Sequence, residues 1–192
     1  LEGLTEETPI LRDPDYSAYF KEDARRLLVG IFEPVCRPWG MGGVPDVSFA
    51  EIPANLDHVM PLLERAYTRM PFLHDVEIRQ LFCGPESFTP DDNFILGEAP
   101  TLPGLFMAAG FNSIGIQAGG GVGKALAEWI VEGEATMDLA EVDIRRFEPF
   151  HAGGRFLADR TVETLGLLYG MHWPFRQFET ARGTKRSPFH QR

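Results

Sequence analysis

The chain has 192 residues, enough for one ordinary domain or one and a half, and its 44% hydrophobic and 11% aromatic content supports a packed core and excludes a disordered chain. A net charge of -10 argues against a nucleic-acid or anionic-membrane surface, which needs a basic patch; basic clustering is local, around Arg182, Lys185 and Arg186. The two cysteines, Cys36 and Cys83, show no C-x-x-C pattern, no apolar run reaches the roughly 18 residues of a membrane span, and the opening LEGLTEET is acidic, unlike a signal peptide.

In chain order, residues 8–33 read as β-structure. Ile10 and Leu11 precede a turn at Asp13, Pro14 and Asp15, after which 16–20 and 27–32 form an antiparallel pair. Residues 34–45 are a long irregular loop around Trp39, which is either a lid over a pocket or an aromatic anchor for the loop. A helix is predicted from Asn55 to about Met70, with Leu56, Val59, Met60, Leu63 and Tyr67 on one face and Pro71 as its stop. Val76, Ile78, Leu81 and Phe82 predict a further strand. Residues 83–100 are rich in turn formers around Phe94, Ile95 and Leu96. There Glu86, Asp91, Asp92 and Glu98 read as solvated turn carboxylates, and no metal site is expected.

The stretch 104–133, GLFMAAGFNSIGIQAGGGVGKALAEWIVEG, organises the rest. Residues 105–109 predict a fully buried strand, a glycine-rich turn follows, and from Val122 the spacing Val122, Ala125, Leu126, Trp129, Ile130 predicts a helix ending at Gly133. Glycines 110, 115, 119, 120, 121 and 123 let backbone approach a ligand, and a helix start offers unpaired N–H groups; a turn that merely packs helix on strand is the plainer alternative. A P-loop fails because Ala118 and Ala125 stand where a glycine and a hydroxyl belong, and G-x-G-x-x-G fails because Lys124 stands for the third glycine. Beyond the helix come a connector at 137–142, a helical turn at 144–147, an amphipathic helix over 155–168, and an irregular, basic arm from 169 to 192. The histidines are scattered, with no H-x-x-x-H pair and no G-x-S-x-G, so hydrolase and metalloenzyme readings have no support. His172 either titrates at a site or packs through hydrogen bonds.

Four motifs carry a resemblance. GPESFTPDDNFILGEAP (84–100), AAGFNSIGIQAGGGVGKALAEWIVEG (108–133), DLAEVDIRRFEPFH (138–151) and YGMHWPFRQFETARGTKRSPF (169–189), with the opening LRDPDYSAYFKEDARRLLVGIFEP, resemble the FAD-dependent dimethylglycine and sarcosine dehydrogenase family in order and spacing. The resemblance implies a mixed α+β or α/β fold. It would be the C-terminal portion of a glutathione-reductase-like FAD domain joined to an antiparallel substrate-domain sheet, with the N-terminal nucleotide-binding part absent.

It also implies three parts: 1–83 in the substrate-binding sheet domain, 84–142 in the FAD-binding domain and 143–192 opening a central domain. Gly110, Phe111, Asn112, Ser113, Ile114, Gly115 and Ile116 would lie beside the isoalloxazine, with a helix beginning near Gly121 aimed at flavin N1 and O2. Reduced flavin is negatively charged there, so N–H groups and a dipole end favour it. The implied chemistry is hydride transfer from the N-methyl carbon of a small amine to FAD, with tetrahydrofolate a possible acceptor in the longer enzyme. No catalytic residue is assigned. Tyr16, Tyr19 and Trp39 are candidate aromatic faces for a methylammonium group, or core aromatics.

The missing initiator methionine, G-x-G-x-x-G turn and ribose-binding acid lead to the expectation of an internal segment. Its partners would be the remainder of its own polypeptide or another copy through an exposed sheet edge. A bacterial cytoplasm or a mitochondrial matrix is the expected compartment. A non-catalytic relative like the pyruvate dehydrogenase phosphatase regulatory subunit, and an inactive fragment, stay open.

Overall fold

The computed structural model describes residues 3–46, 48 and 51–181; the basic cluster Arg182, Lys185 and Arg186 lies outside them. Two compact units share the chain: Leu1–Cys36, Asp46–Pro85 and Leu165–Arg176 form the first, and Arg37–Pro45, Glu86–Thr164 and Gln177–Arg192 the second. Among the described residues no helix is long and apolar enough to cross a membrane.

The first unit is built on an antiparallel sheet in the order β1 (Leu11–Asp13), β2 (Ala18–Asp23), β3 (Arg26–Ile31). The predicted pair is present, but β2 starts at Ala18, leaving Tyr16 in the turn. Asp13 makes that turn: its buried Oδ1 accepts the N–H groups of Asp15 (3.1 Å) and Tyr16 (3.4 Å), while Oδ2 accepts Arg69 Nε (2.7 Å). The Arg69 guanidinium holds the Asp13 carboxyl below its usual range. Asp23 pairs with Arg26 across a two-residue turn in which Ala24 and Arg25 both have positive φ (51° and 63°), and the Glu22 carboxylate accepts the Arg25 N–H at 2.6 Å.

Helix α1 (Leu56–Arg69) begins where predicted, because the Asn55 side chain accepts the His58 N–H at 3.0 Å. Its Ala66 joins Ala18, Phe20 and Leu73 in the core of this unit, bordered by Leu27, Val29, Ile31 and Tyr67. The strand predicted at 76–82 is not formed. A 3-10 turn at Pro71–Asp75 is followed by irregular chain whose Val76, Ile78 and Phe82 are exposed, so the imperfect alternation had no face to bury.

Tyr19 stands opposite Gly30, and its ring occupies the space a Gly30 side chain would need, 1.9 Å from an added Cβ. Gly30→Ala should therefore push the ring aside and destabilise the unit by about 1–3 kcal/mol, the ordinary range for overpacking. Thermal unfolding checks this, and Tyr19→Ala in the same chain should make the glycine substitution almost silent.

The second unit carries a hairpin, β4 (Ile95–Glu98) against β5 (Phe106–Ala109), in register Ile95 to Ala109 and Glu98 to Phe106. Strand β5 is one residue shorter than expected. It is not fully buried either: Ala108 is exposed and its neighbours are half-buried, because only β4 flanks it among the described residues. Helix α2 (Gly115–Glu132) covers this hairpin, and Leu96, Val122 and Ala125 make the core with Phe94, Phe111, Ala118, Leu126, Leu139 and Val142. The helix expected from Gly121 or Val122 starts six or more residues earlier. Ala118 extends the apolar stripe one turn upstream of Val122, and its N–H donates to the Ile114 carbonyl at 2.9 Å, so the glycines at 119, 120, 121 and 123 are helical.

The helix expected over 155–168 is broken into α3 (Gly154–Arg160) and α4 (Thr164–Tyr169). Thr161 Oγ1 donates to the Leu157 carbonyl (2.8 Å) and Thr164 Oγ1 to the Thr161 carbonyl (2.9 Å), side-chain bonds of the kind that bend and end helices. The fold class is thus mixed α and β with small antiparallel sheets.

Candidate functional site

The candidate turn is a built object, in which β5 runs into Gly110 and α2 leaves from Ile114. Between them Gly110, Asn112 and Ser113 all have positive φ (63°, 50° and 67°), reversing the chain within five residues. At Gly110 this conformation requires glycine twice over, since a Cβ would meet Thr89 Cγ2 at 2.6 Å.

Asn112, 1% exposed, is the pin. Its Oδ1 accepts the Thr89 N–H (2.8 Å), its Nδ2 donates to Thr89 Oγ1 (3.2 Å), and its own N–H donates to the Ser87 carbonyl (3.1 Å). Thr89 Oγ1 donates in turn to the Asn93 carbonyl at 2.8 Å. Ser113 Oγ donates to Glu86 Oε1, so the 86–93 loop grips both left-handed residues. Phe111 stacks on Phe94 with ring centroids 5.4 Å apart, anchoring the turn to the apolar core.

Of the carboxylates expected to be solvated, Glu86 is exposed, Asp91 and Glu98 are engaged, and Asp92 is half-buried. Asp91 forms a two-pronged pair with Arg146, Nε to Oδ2 at 2.7 Å and Nη2 to Oδ1 at 3.1 Å, and the same guanidinium donates to the Asn93 and Val142 carbonyls, both at 2.7 Å. Glu98 accepts the Gly104 N–H at 2.7 Å. Asp92 has a left-handed backbone (φ 59°) and a buried Oδ1 without a hydrogen-bond partner; burial first, then the Asp91 and Glu163 carboxylates, push its pKa up to about 7. Thr89, Asp91 and Arg146 therefore belong to the supporting shell. The signal for the pair was present in two motifs 55 residues apart, with nothing local to join them.

Beyond this turn the chain opens. Ile114 caps α2 with no side-chain hydrogen bond and the first turn holds no acidic residue, so the N–H groups of Gly115, Ile116 and Gln117 have no acceptor inside the helix. Ile116 is fully exposed, and side chains added at Gly119, Gly120, Gly121 or Gly123 would meet nothing within 4 Å. A positive dipole end, N–H groups without an acceptor among the described residues and a face without side chains can receive the electron-rich edge of a flat ligand.

The three candidate aromatics are not all placed alike. Tyr16 is half-buried beside the Asp13 turn, and the Tyr19 ring lies over Gly30, 5.8 Å from Phe32, so packing accounts for it. Trp39 belongs to the second unit and is 38% exposed. The ring nitrogens of His172 sit 2.9 and 3.0 Å from the Trp173 and Leu167 carbonyl oxygens, as a hydrogen-bonded histidine does.

Residues 2–129 match the family described as FAD dependent oxidoreductase, and residues 132–187 match the FAD dependent oxidoreductase central domain. Over its whole length the chain is 43% identical to 4-methylaminobutanoate oxidase (formaldehyde-forming) of Paenarthrobacter nicotinovorans, covering 23% of that protein. It is 36% identical to mitochondrial sarcosine dehydrogenase of Mus musculus, with 100% of the chain and 21% of that protein covered. Identity is also 36% to the mitochondrial pyruvate dehydrogenase phosphatase regulatory subunit of Mus musculus, across 98% of the chain and 22% of that protein. The chain thus spans less than a quarter of the length of these relatives. With most of its residues matched by the first of these descriptions, it belongs to the FAD-dependent oxidoreductase family.

Proposed function

We propose that the chain is part of an enzyme that oxidises the N-methyl group of a small amine, such as sarcosine or dimethylglycine, with Gly110, Phe111, Asn112, Ser113, Ile114, Gly115 and Ile116 against the flavin. The observation that carries this reading is the 43% identity, over the full chain, to an oxidase whose name gives a methylamino substrate and formaldehyde as product. The cofactor, when bound, accepts a hydride from the N-methyl carbon. The resulting iminium takes up water to release formaldehyde, or passes its carbon to tetrahydrofolate.

The residues present fit such a cofactor. The N–H groups of Gly115, Ile116 and Gln117, at the positive end of α2, suit a ring edge that gains negative charge on reduction, and the Thr89–Asn112 pin keeps them in place without reorganisation. A glutathione-reductase-like arrangement supplies the rest of the FAD site from elsewhere in the polypeptide. Trp39 is the proposed face for the methylammonium end of the amine, an attraction of roughly 0.5–2 kcal/mol.

Ile116→Glu tests the turn without touching the core. A carboxylate in the first turn favours the helix, yet it opposes the anionic ring of the reduced flavin, so affinity for the reduced cofactor should fall about fivefold relative to the oxidised one, the equivalent of about 1 kcal/mol, while thermal stability holds. A redox titration of the bound flavin reads the effect as a lowered potential; an unchanged potential would place the flavin elsewhere. The identity to a regulatory subunit favours a second reading, in which the flavin is held but not turned over. Amine-driven reduction of the flavin separates the two.

A further inference from the structure

Glu86 carries an exposed carboxylate that is nonetheless fixed in place. Its Oε1 accepts the Ser113 hydroxyl, and the carbonyl of the next residue, Ser87, accepts the Asn112 N–H at 3.1 Å, so side chain and adjoining backbone are both tied to the left-handed residues of the turn. Ser113 closely precedes Gly115, whose N–H is the first of the three without an acceptor inside α2.

Several carboxylates of this unit are neutralised: Asp91 pairs with Arg146, Asp143 with Arg145 and Glu128 with Lys124. Glu86 has no lysine, arginine or histidine partner among the described residues, and the Ser113 hydroxyl fills one of the roughly four acceptor positions of a carboxylate. Oε2 and the second lone pair of Oε1 are left for a donor or a cation. A loose surface glutamate loses rotamer freedom when it takes a partner; the Ser113 bond has already removed that freedom here, which favours capture.

We infer that Glu86 is the anionic contact for the nitrogen end of the amine and receives its methylammonium group beside the turn. This assignment rests on the proposed amine oxidation, in which the substrate nitrogen is protonated at neutral pH and the iminium product is again a cation. The turn then presents two complementary charges, helix N–H groups for the ring edge that becomes negative and a carboxylate for the group that is positive. An aromatic face attracts the same cation without neutralising it, and the carboxylate does both.

Trimethylglycine and 3,3-dimethylbutanoate have the same shape and the same carboxylate, and differ by a quaternary nitrogen in place of a carbon. Trimethylglycine has no nitrogen lone pair and cannot become an iminium, so calorimetry on the FAD-reconstituted polypeptide reads binding alone. The unaltered protein should prefer the cation about fivefold. Glu86→Gln keeps an oxygen for the Ser113 hydroxyl and should erase that preference while thermal stability holds. A preference of the same size in Glu86→Gln, or none in the unaltered protein, would overturn the assignment. Failure of the proposed activity shows separately, as bound flavin that sarcosine does not reduce.

Discussion

Asn112→Ala is expected to destabilise the second unit by about 2–4 kcal/mol and to abolish flavin binding at the turn. The substitution leaves the Thr89 N–H, now bonded at 2.8 Å, buried without an acceptor, and an orphaned buried donor alone costs about 1–3 kcal/mol. It also removes the partner of Thr89 Oγ1 and places alanine at φ 50°, where asparagine is tolerated and alanine is strained by roughly 1 kcal/mol. Asn112→Gly loses the same hydrogen bonds without the strain, so it should fall between the two chains. Urea unfolding reads the order from the midpoints, provided the slopes agree. If alanine and glycine variants matched the unaltered chain, the pin would hold nothing.

Gly97→Ala should be as damaging for a different reason. Gly97 lies inside β4 with φ 118°, and an added Cβ would stand 2.9 Å from two ring carbons of Trp129. The ring is packed on two sides: Trp129 is buried in α2, edge-on to Phe106 at 6.0 Å, with the Arg145 guanidinium 5.9 Å from its centroid. Backbone strain of about 1–3 kcal/mol adds to overpacking of similar size. Tryptophan fluorescence should report a displaced Trp129 and urea unfolding a loss of about 3 kcal/mol. Trp129→Leu in the same chain should recover part of it, leaving the strain.

What the residues disclosed beforehand depended on range. Asn55 and Pro71 bounded α1 correctly because capping and proline chemistry act within one turn. The start of α2 was hidden because glycine's preferences point to a turn. The stripe through Ala118 was there to be read, but glycines 119 to 121 masked it. The turn of the β2–β3 hairpin lacked any Asn-Gly or Asp-Gly signal, since Ala24 and Arg25 adopt left-handed conformations with help from Glu22.

For the site, the glycine stretch drew attention to the turn that joins β5 to α2, while its supports did not declare themselves. Thr89 meets Asn112 across 23 positions and Asp91 meets Arg146 across 55, and no period or motif encodes such pairings. Asp91 and Asp92, adjacent in a turn, proved opposite in character: one is neutralised by a bidentate arginine, the other buried beside like charge.

The most direct measurement is an anaerobic addition of sarcosine or 4-methylaminobutanoate to the FAD-reconstituted polypeptide, watching the visible flavin band. Loss of the band with formaldehyde formed in step is the result predicted here, and it should disappear in Asn112→Ala. Flavin that co-elutes with the protein yet keeps its colour with every N-methyl amine would contradict the account and leave a flavin-holding protein that does not turn over.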